Sequence, residues 1–511
     1  MKCSRELMRF FKISDFNVWY FFVNQQHRRV EFIMEKKFPF SSLFRPEDIK
    51  QIDHAGRRIL ERVGIKIHCR FCLDMLEKAG VQIDNNAQIA RFETAWLNEI
   101  LAQAPSGSVL YSRDGLNDVH MGAGQVNFSN GGRVFRILDM GTGGYRLTML
   151  RDVANTAALV NQLDNIRLYI ISCQAHDIEQ QYYHLNDFYY ALNHTTKHVM
   201  GGCDNLEGVK QMWELAGFVA GGKEKLRQKP FVSVITNPIS PLTFGYDTLD
   251  ILKFCCQNGI PVTCAPAPIS GTTAPATLAG TLSQMHAEAL AGVAIAQVCA
   301  PGARVLYGAV PSTMDLRNME YTMGSLEMAL MNAAAVQLAK LYNLPIYASA
   351  GVTEAKRPDI QAGCEKSFSN LMVAMSGADL IHLAAGMLDS GNSISYEQYV
   401  IDNEIIGMIY KILSGIRVSR ETLGSGVIEE VGPGGNYVMA DHTVKHMMEE
   451  FFYPDLAVRC NFDIWEQRGR PNMLSQAKKR VEKILKENMD GLLDPELISE
   501  IKVRFPGIQN I

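Results

Sequence analysis

The sequence has none of the long hydrophobic stretches that would carry it across a membrane. No run of about 18 uncharged apolar residues, the minimum for a spanning helix, occurs in its 511 positions. The nearest approach, Ala289 to Ala300, is short and follows His286 and Glu288. Cysteine is sparse, 11 residues in all, so a disulfide scaffold is excluded and reduced thiols in a cytoplasm are expected. A basic excess is also missing. Lys plus Arg is 50 against 54 Asp plus Glu, a net charge of −4, which argues against a chain built to bind nucleic acid.

Several chemical signatures are absent too. There is no Gly-x-Ser-x-Gly elbow and no His-Glu-x-x-His helix. The glycine clusters Gly131-Gly132, Gly141-Thr142-Gly143-Gly144 and Gly432-Pro433-Gly434-Gly435 lack the Lys-Ser/Thr of a P-loop and read as turns. Cys69 and Cys72, with His68, resemble half of a zinc site. No second pair completes it, so buried thiols are expected and no metal.

What is present is an ordinary globular composition, 47% apolar and 20% charged, on a chain long enough for a large core. Residues 1–37 stand apart. They hold eight Lys/Arg and four Asp/Glu around the run Trp19-Tyr20-Phe21-Phe22, with no small-residue cleavage site after it. We expect a poorly ordered N-terminal extension, with Met34 as a working start. A short amphipathic anchor is the second reading.

Residues 38–120 read as a mainly helical lead-in. A helix is expected to open at Pro46, with Ile49, Ile52, Ile59, Leu60 and Val63 on one face and Gly64 as its stop. From about residue 121 to 415 short β-branched apolar runs recur: 126–128, 166–172, 198–203, 231–236, 262–265, 305–309, 346–350 and 380–385. Helical stretches lie between them, such as 206–219, 248–258, 277–298 and 325–342. Eight strand–helix units predict an α/β fold, a (β/α)8 TIM barrel, rather than an open doubly wound sheet. Residues 416–511 read as a C-terminal, mainly helical addition.

The Pro-rich stretches Asn237 to Leu242 and Pro266 to Gly271 follow the fourth and fifth runs, at the barrel face where such folds build their sites. His382 sits inside the eighth run.

The order Pro266-Ala267-Pro268-Ile269-Ser270-Gly271-Thr272-Thr273-Ala274-Pro275 is long and specific. With it come Met314-Asp315-Leu316-Arg317, Lys356-Arg357-Pro358-Asp359, Ser395-Tyr396-Glu397-Gln398 and Val431-Gly432-Pro433-Gly434-Gly435. From about residue 38 onward the chain resembles the trimethylamine methyltransferase (MttB) family. The resemblance implies a barrel enzyme that moves a methyl group from an amine to the Co(I) of a separate corrinoid protein. No cofactor is then bound tightly, and no nucleic acid or membrane is a partner. The trimethylamine enzymes carry pyrrolysine and this chain has none, which points to a quaternary amine, glycine betaine or a close analogue.

That substrate departs as a neutral amine, so no acid–base residue is expected. An aromatic cage suits its cation, with Tyr396, Tyr347, Tyr307 and Phe244 as candidates. A donor suits its carboxylate. His382 is the first candidate, with Arg317 or Arg133 assisting and Glu365 and Asp315 ordering polar groups. A demethylase of the same fold with a non-corrinoid acceptor, and a non-catalytic binder of quaternary ammonium compounds, remain alternatives. The helical additions are candidates for a homo-oligomer interface.

Overall fold

Strands buried on both faces lose any polar alternation and read as apolar runs. All eight such runs form strands in the computed structural model, which describes residues 44–488 and 490–511. The extension over residues 1–37 lies outside the described residues. The strands are β1 (Asn127–Asn130), β2 (Tyr169–Ile170), β3 (Val199–Gly202), β4 (Val232–Thr236), β5 (Val262–Cys264), β6 (Val305–Gly308), β7 (Ile346–Ser349) and β8 (Leu380–Ala385). They are parallel and ordered β1-β8-β7-β6-β5-β4-β3-β2. A parallel bridge from Ser129 to Leu168 joins the two ends, where the Arg167 N–H donates to the Phe128 carbonyl at 2.8 Å.

One main helix follows each strand: α1 (Leu150–Gln162), α2 (Tyr183–His194), α3 (Leu206–Val219), α4 (Tyr246–Asn258), α5 (Leu278–Cys299), α6 (Leu326–Leu341), α7 (Ile360–Met375) and α8 (Tyr396–Ser414). The fold is thus the (β/α)8 barrel. Local chemistry sets the helix starts. The side chains of Asn205, Ser325, Asp359 and Ser395 each accept the third backbone N–H of the helix they precede, satisfying a donor that has no partner within the helix.

The barrel is plugged at one end. A hairpin of Ser108–Leu110 and Val119–Met121 sends Leu110, Val119 and Met121 into the cluster formed by Ile170, Met200, Leu306, Tyr347 and Leu380. The Gly122 N–H donates to Asp379 at 3.0 Å, just before β8, so this is the N-terminal end. The lead-in helix Pro46–Arg62 packs along α5. There Asp53 accepts from Arg57 at 2.6 Å and from Tyr342, and meets His286 Nε2 at 3.1 Å. After α8 come the helices Ser425–Val431, Asp441–Glu450, Phe462–Gln467, Met473–Glu487 and Pro495–Arg504. Among the described residues no helix is long and apolar enough to cross a membrane. None of their His, Cys, Asp or Glu side chains cluster in a group able to hold a metal ion, and Cys69 and Cys72 are both buried.

Candidate functional site

With the N-terminal end filled, free space remains at the C-terminal ends of the strands. A cavity of about 460 Å³ opens there. Its walls include Arg133 beyond β1, Asp204 beyond β3, Thr236 and Asn237 at the end of β4, Asp247 in the first turn of α4, Tyr347 of β7 and His382 of β8. The loops around it are pinned from behind. Glu288, buried on α5, accepts from Ser240 Oγ at 2.7 Å and the Leu242 N–H at 2.8 Å, which fixes the Pro-rich loop after β4. Burial raises the pKa of this carboxyl.

Arg133 follows Gly131 and Gly132, which leave no room for a Cβ against Met387 and Ile170. Its φ of +49° is a left-handed conformation that non-glycine residues adopt at a cost. Its Nη1 donates to Asp204 at 2.9 Å. Nε and Nη2 are buried and have no hydrogen-bond partner. Two donors of one guanidinium fork are therefore unspent beside the cavity, an arrangement suited to a carboxylate.

His382 stacks on Tyr347, with ring centroids 4.5 Å apart. Burial pushes its pKa down to about 3, so the ring is neutral. Its tautomer follows from Ser349. That hydroxyl lies 2.9 Å from the Ala309 carbonyl, which can only accept, and 2.9 Å from His382 Nδ1. The single hydroxyl proton goes to Ala309. Nδ1 then carries the ring proton and Nε2 keeps a lone pair. The expectation that His382 donates to a carboxylate is corrected on this ground: toward a guest in the cavity, its free ring nitrogen accepts.

Of the nine residues singled out from the sequence, Arg133, Tyr347 and His382 line the cavity. The other six lie elsewhere. Tyr307 points outward from β6, and its hydroxyl meets His286 Nδ1 at 2.8 Å on α5. Phe244 is buried in a short strand paired with Ile65–Ile67, outside the barrel. The Tyr396 hydroxyl donates to Asp152 and accepts from Asn155. Glu365 accepts from Thr353 Oγ1 at 2.6 Å and the Glu354 N–H at 2.8 Å, pinning the loop after β7. Arg317 is exposed at a hairpin turn and pairs with Asp315 at 2.7 Å. The expected four-ring cage is therefore replaced by one tyrosine ring covered by an imidazole.

The sequence reading passed over Asp204, Asp247 and Asp187. Asp204 stands two residues past the end of β3, a position that marks a mouth residue in this fold. Asp187 on α2 is buried, its Oδ1 has no partner, and burial pushes its carboxyl up to about 7 despite the nearby Arg133 charge. The sign of the consequence follows. Between the ordinary carboxylate range and pH 7 the unfolded chain gives up this proton and the folded chain keeps it. Stability falls across that window and stays reduced above it. We expect Asp187→Asn to be more stable than the wild type at pH 8, by roughly 2–3 kcal/mol, and to gain nothing at pH 4. Equilibrium unfolding at the two pH values measures this, and an unchanged difference would contradict it.

Comparisons with known proteins agree with one another. The sequence model described as trimethylamine methyltransferase (MTTB) matches residues 23–505. A trimethylamine methyltransferase MttB of Desulfitobacterium hafniense is 33% identical over 456 residues, covering 89% of this chain and 91% of that protein. A glycine betaine methyltransferase of D. hafniense is 29% identical over 470 residues, covering 92% and 97%. The crystal structure of a hydroxylamine complex of MtmB matches with a TM-score of 0.51 at 12% identity, over 87% of this chain and 88% of that one.

Proposed function

The chain belongs to the trimethylamine methyltransferase family, and from that premise we propose that it takes a methyl group from a betaine, a quaternary amine carrying an acid group, and passes it to the Co(I) of a corrinoid held by a separate protein. The observation that carries the acid tail is Arg133, with two buried N–H groups unspent at the wall of a cavity. Asp204 holds the guanidinium from its other side, so the fork is oriented before a ligand arrives.

The remaining lining suits the other end of such a zwitterion. Asp204 and Asp247 outnumber Arg133, so the wall carries one net negative charge at neutral pH with His382 neutral. The His382 lone pair and the Tyr347 ring complete a surface that accepts polarised N–CH3 groups. No proton is required. The N–CH3 bond breaks with its electron pair going to nitrogen, and the departing group is a neutral tertiary amine. A histidine with a pKa near 3 supplies no acid at neutral pH, which this chemistry tolerates. The chain's task is orientation: it must hold one methyl carbon in line with its acceptor.

The test is a panel of methylated amines incubated with the full chain and a corrinoid protein, with the demethylated product read by mass spectrometry. Glycine betaine or another acid-bearing quaternary amine should be converted, and trimethylamine and choline should lag by at least tenfold. Equal conversion of choline would overturn the assignment of the acid tail. Conversion without any corrinoid would select another acceptor. Tight binding with no product would select a binder.

A further inference from the structure

Beside the cavity wall lie buried polar atoms without a hydrogen-bond partner among the described residues. Arg133 Nε and Nη2 are two of them, and Asp187 Oδ1 on α2 is a third. One turn earlier on the same helix, His184 Nε2 accepts the Asp204 N–H at 3.1 Å, and Asp204 holds Arg133 Nη1 at 2.9 Å. Gly208 makes the room for that contact, since a Cβ there would stand 2.3 Å from the His184 ring. Helix α2 therefore reaches the guanidinium by two routes. One runs through His184 and Asp204. The other is the Asp187 carboxyl, on which the Arg133 charge acts.

A buried carboxylate and a guanidinium ordinarily pair through short, strong hydrogen bonds. Here atoms on both sides stand unspent, as they do when the carboxyl is neutral. Burial pushes Asp187 up to about 7, with Arg133 working against the shift and Asp204 adding to it. The histidines and thiols around it keep one charge state between pH 6 and 8.5. Burial holds His184 down at about 4 and His382 at about 3. It raises the thiols of Cys173 beyond β2 and Cys203 beyond β3. Helices α1 and α3 flank α2, and the charges acting on the carboxyl are those of Arg133 and Asp204 rather than any on these helices.

We propose that Asp187 is a positioning residue for Arg133: protonated, it leaves the two spare N–H groups to a guest carboxylate, and ionised, it claims them. The proposal rests on the assignment of the acid tail to Arg133. A carboxylate arriving at the fork brings negative charge beside Asp187 and favours its protonated form. At pH 8 the ligand and one proton from solvent therefore bind together, the proton going to the Asp187 carboxyl, and both leave together. By reciprocity each strengthens the other's binding by the same factor. A quaternary nitrogen and its carboxylate do not titrate in this range, so the proton is taken up by the protein.

The test is calorimetric titration of the full chain with glycine betaine and carnitine, and with choline as the probe lacking an acid tail. It is run from pH 6 to 8.5 in buffers of different ionisation heat. The Kd of the acid-bearing probes should rise about tenfold across the range, as one pKa unit of coupling requires. About half a proton should be taken up per ligand at pH 7.5. Choline should change less than twofold and take up none. Asp187→Asn, which cannot ionise, should bind the acid-bearing probes with one affinity throughout and without proton uptake. The uptake by the wild type decides the matter even if that variant fails to fold. A flat wild-type profile without uptake, or a variant that keeps the wild-type slope, would overturn the proposal and leave the acid-tail assignment standing. Failure of both acid-bearing probes to bind at any pH would overturn the two together.

Discussion

Replacing Arg133 with Met is expected to lower kcat/KM for an acid-bearing quaternary amine by 10²- to 10³-fold while changing that for choline less than threefold. The size follows from what is lost. Two charge-assisted hydrogen bonds to a carboxylate disappear from a largely buried site, and truncating one partner of such a pair costs about 2–5 kcal/mol. The selectivity is the informative part. A substrate without a carboxylate never used the fork, so it loses nothing except through distortion of the loop. Arg133→Lys should recover only part of the loss, since an ammonium keeps the charge and forfeits the planar fork. The contact between Arg133 and Asp204 gives a second handle: Asp204→Asn should alter KM more than kcat by loosening the guanidinium. Kinetics on matched substrates decide the matter. An equal fall for both would make Arg133 a structural residue of the loop after β1.

The second large effect concerns stability. Lys366 on α7 and Asp402 on α8 are both fully buried and lie 3.1 Å apart. The lysine also donates to the carbonyls of Gly351 and Met387, and the aspartate accepts from the Gly386 N–H and from Gln398 Nε2, each at 2.8 Å. Burial draws the lysine's pKa down and the carboxyl's up, and the charge of each partner opposes the shift of the other. The pair ties the segments after β7 and β8 to the helices behind them, and Met387 is part of the cavity wall. We expect Lys366→Met to destabilise the protein by about 3–5 kcal/mol, because it leaves a carboxylate buried without compensation. Adding Asp402→Leu should return a large part of that loss. Denaturant unfolding of the two variants checks this. A single substitution costing under about 1 kcal/mol would contradict the role assigned to the pair.

The barrel was legible because its signal repeats. Eight apolar runs with turn residues between them fix strand number and order, and the helix over residues 206–219 is found where its spacing places it. The side of each strand on which a ring falls was not legible. In a run apolar on both faces, alternation carries no sign. Tyr307 and Tyr347 look alike in sequence, yet Leu306 takes the inward place on β6 and turns Tyr307 toward His286, while Tyr347 faces inward under His382. The unpaired donors of Arg133 were equally hidden, since the residue sits at a left-handed backbone angle that its residue type does not announce. Asp204 was within reach of the rule that mouth residues follow strand ends, since it stands just past β3.

The central claim is that a betaine methyl group is delivered to reduced cobalt. Its most direct test is the visible absorption of a Co(I) corrinoid protein under anaerobic conditions, followed after the chain and glycine betaine or a close analogue are added. The account predicts that the Co(I) bands decay and methyl-Co(III) bands rise in step with formation of the demethylated amine, one for one. A Co(I) spectrum that stays unchanged with every acid-bearing quaternary amine would contradict it.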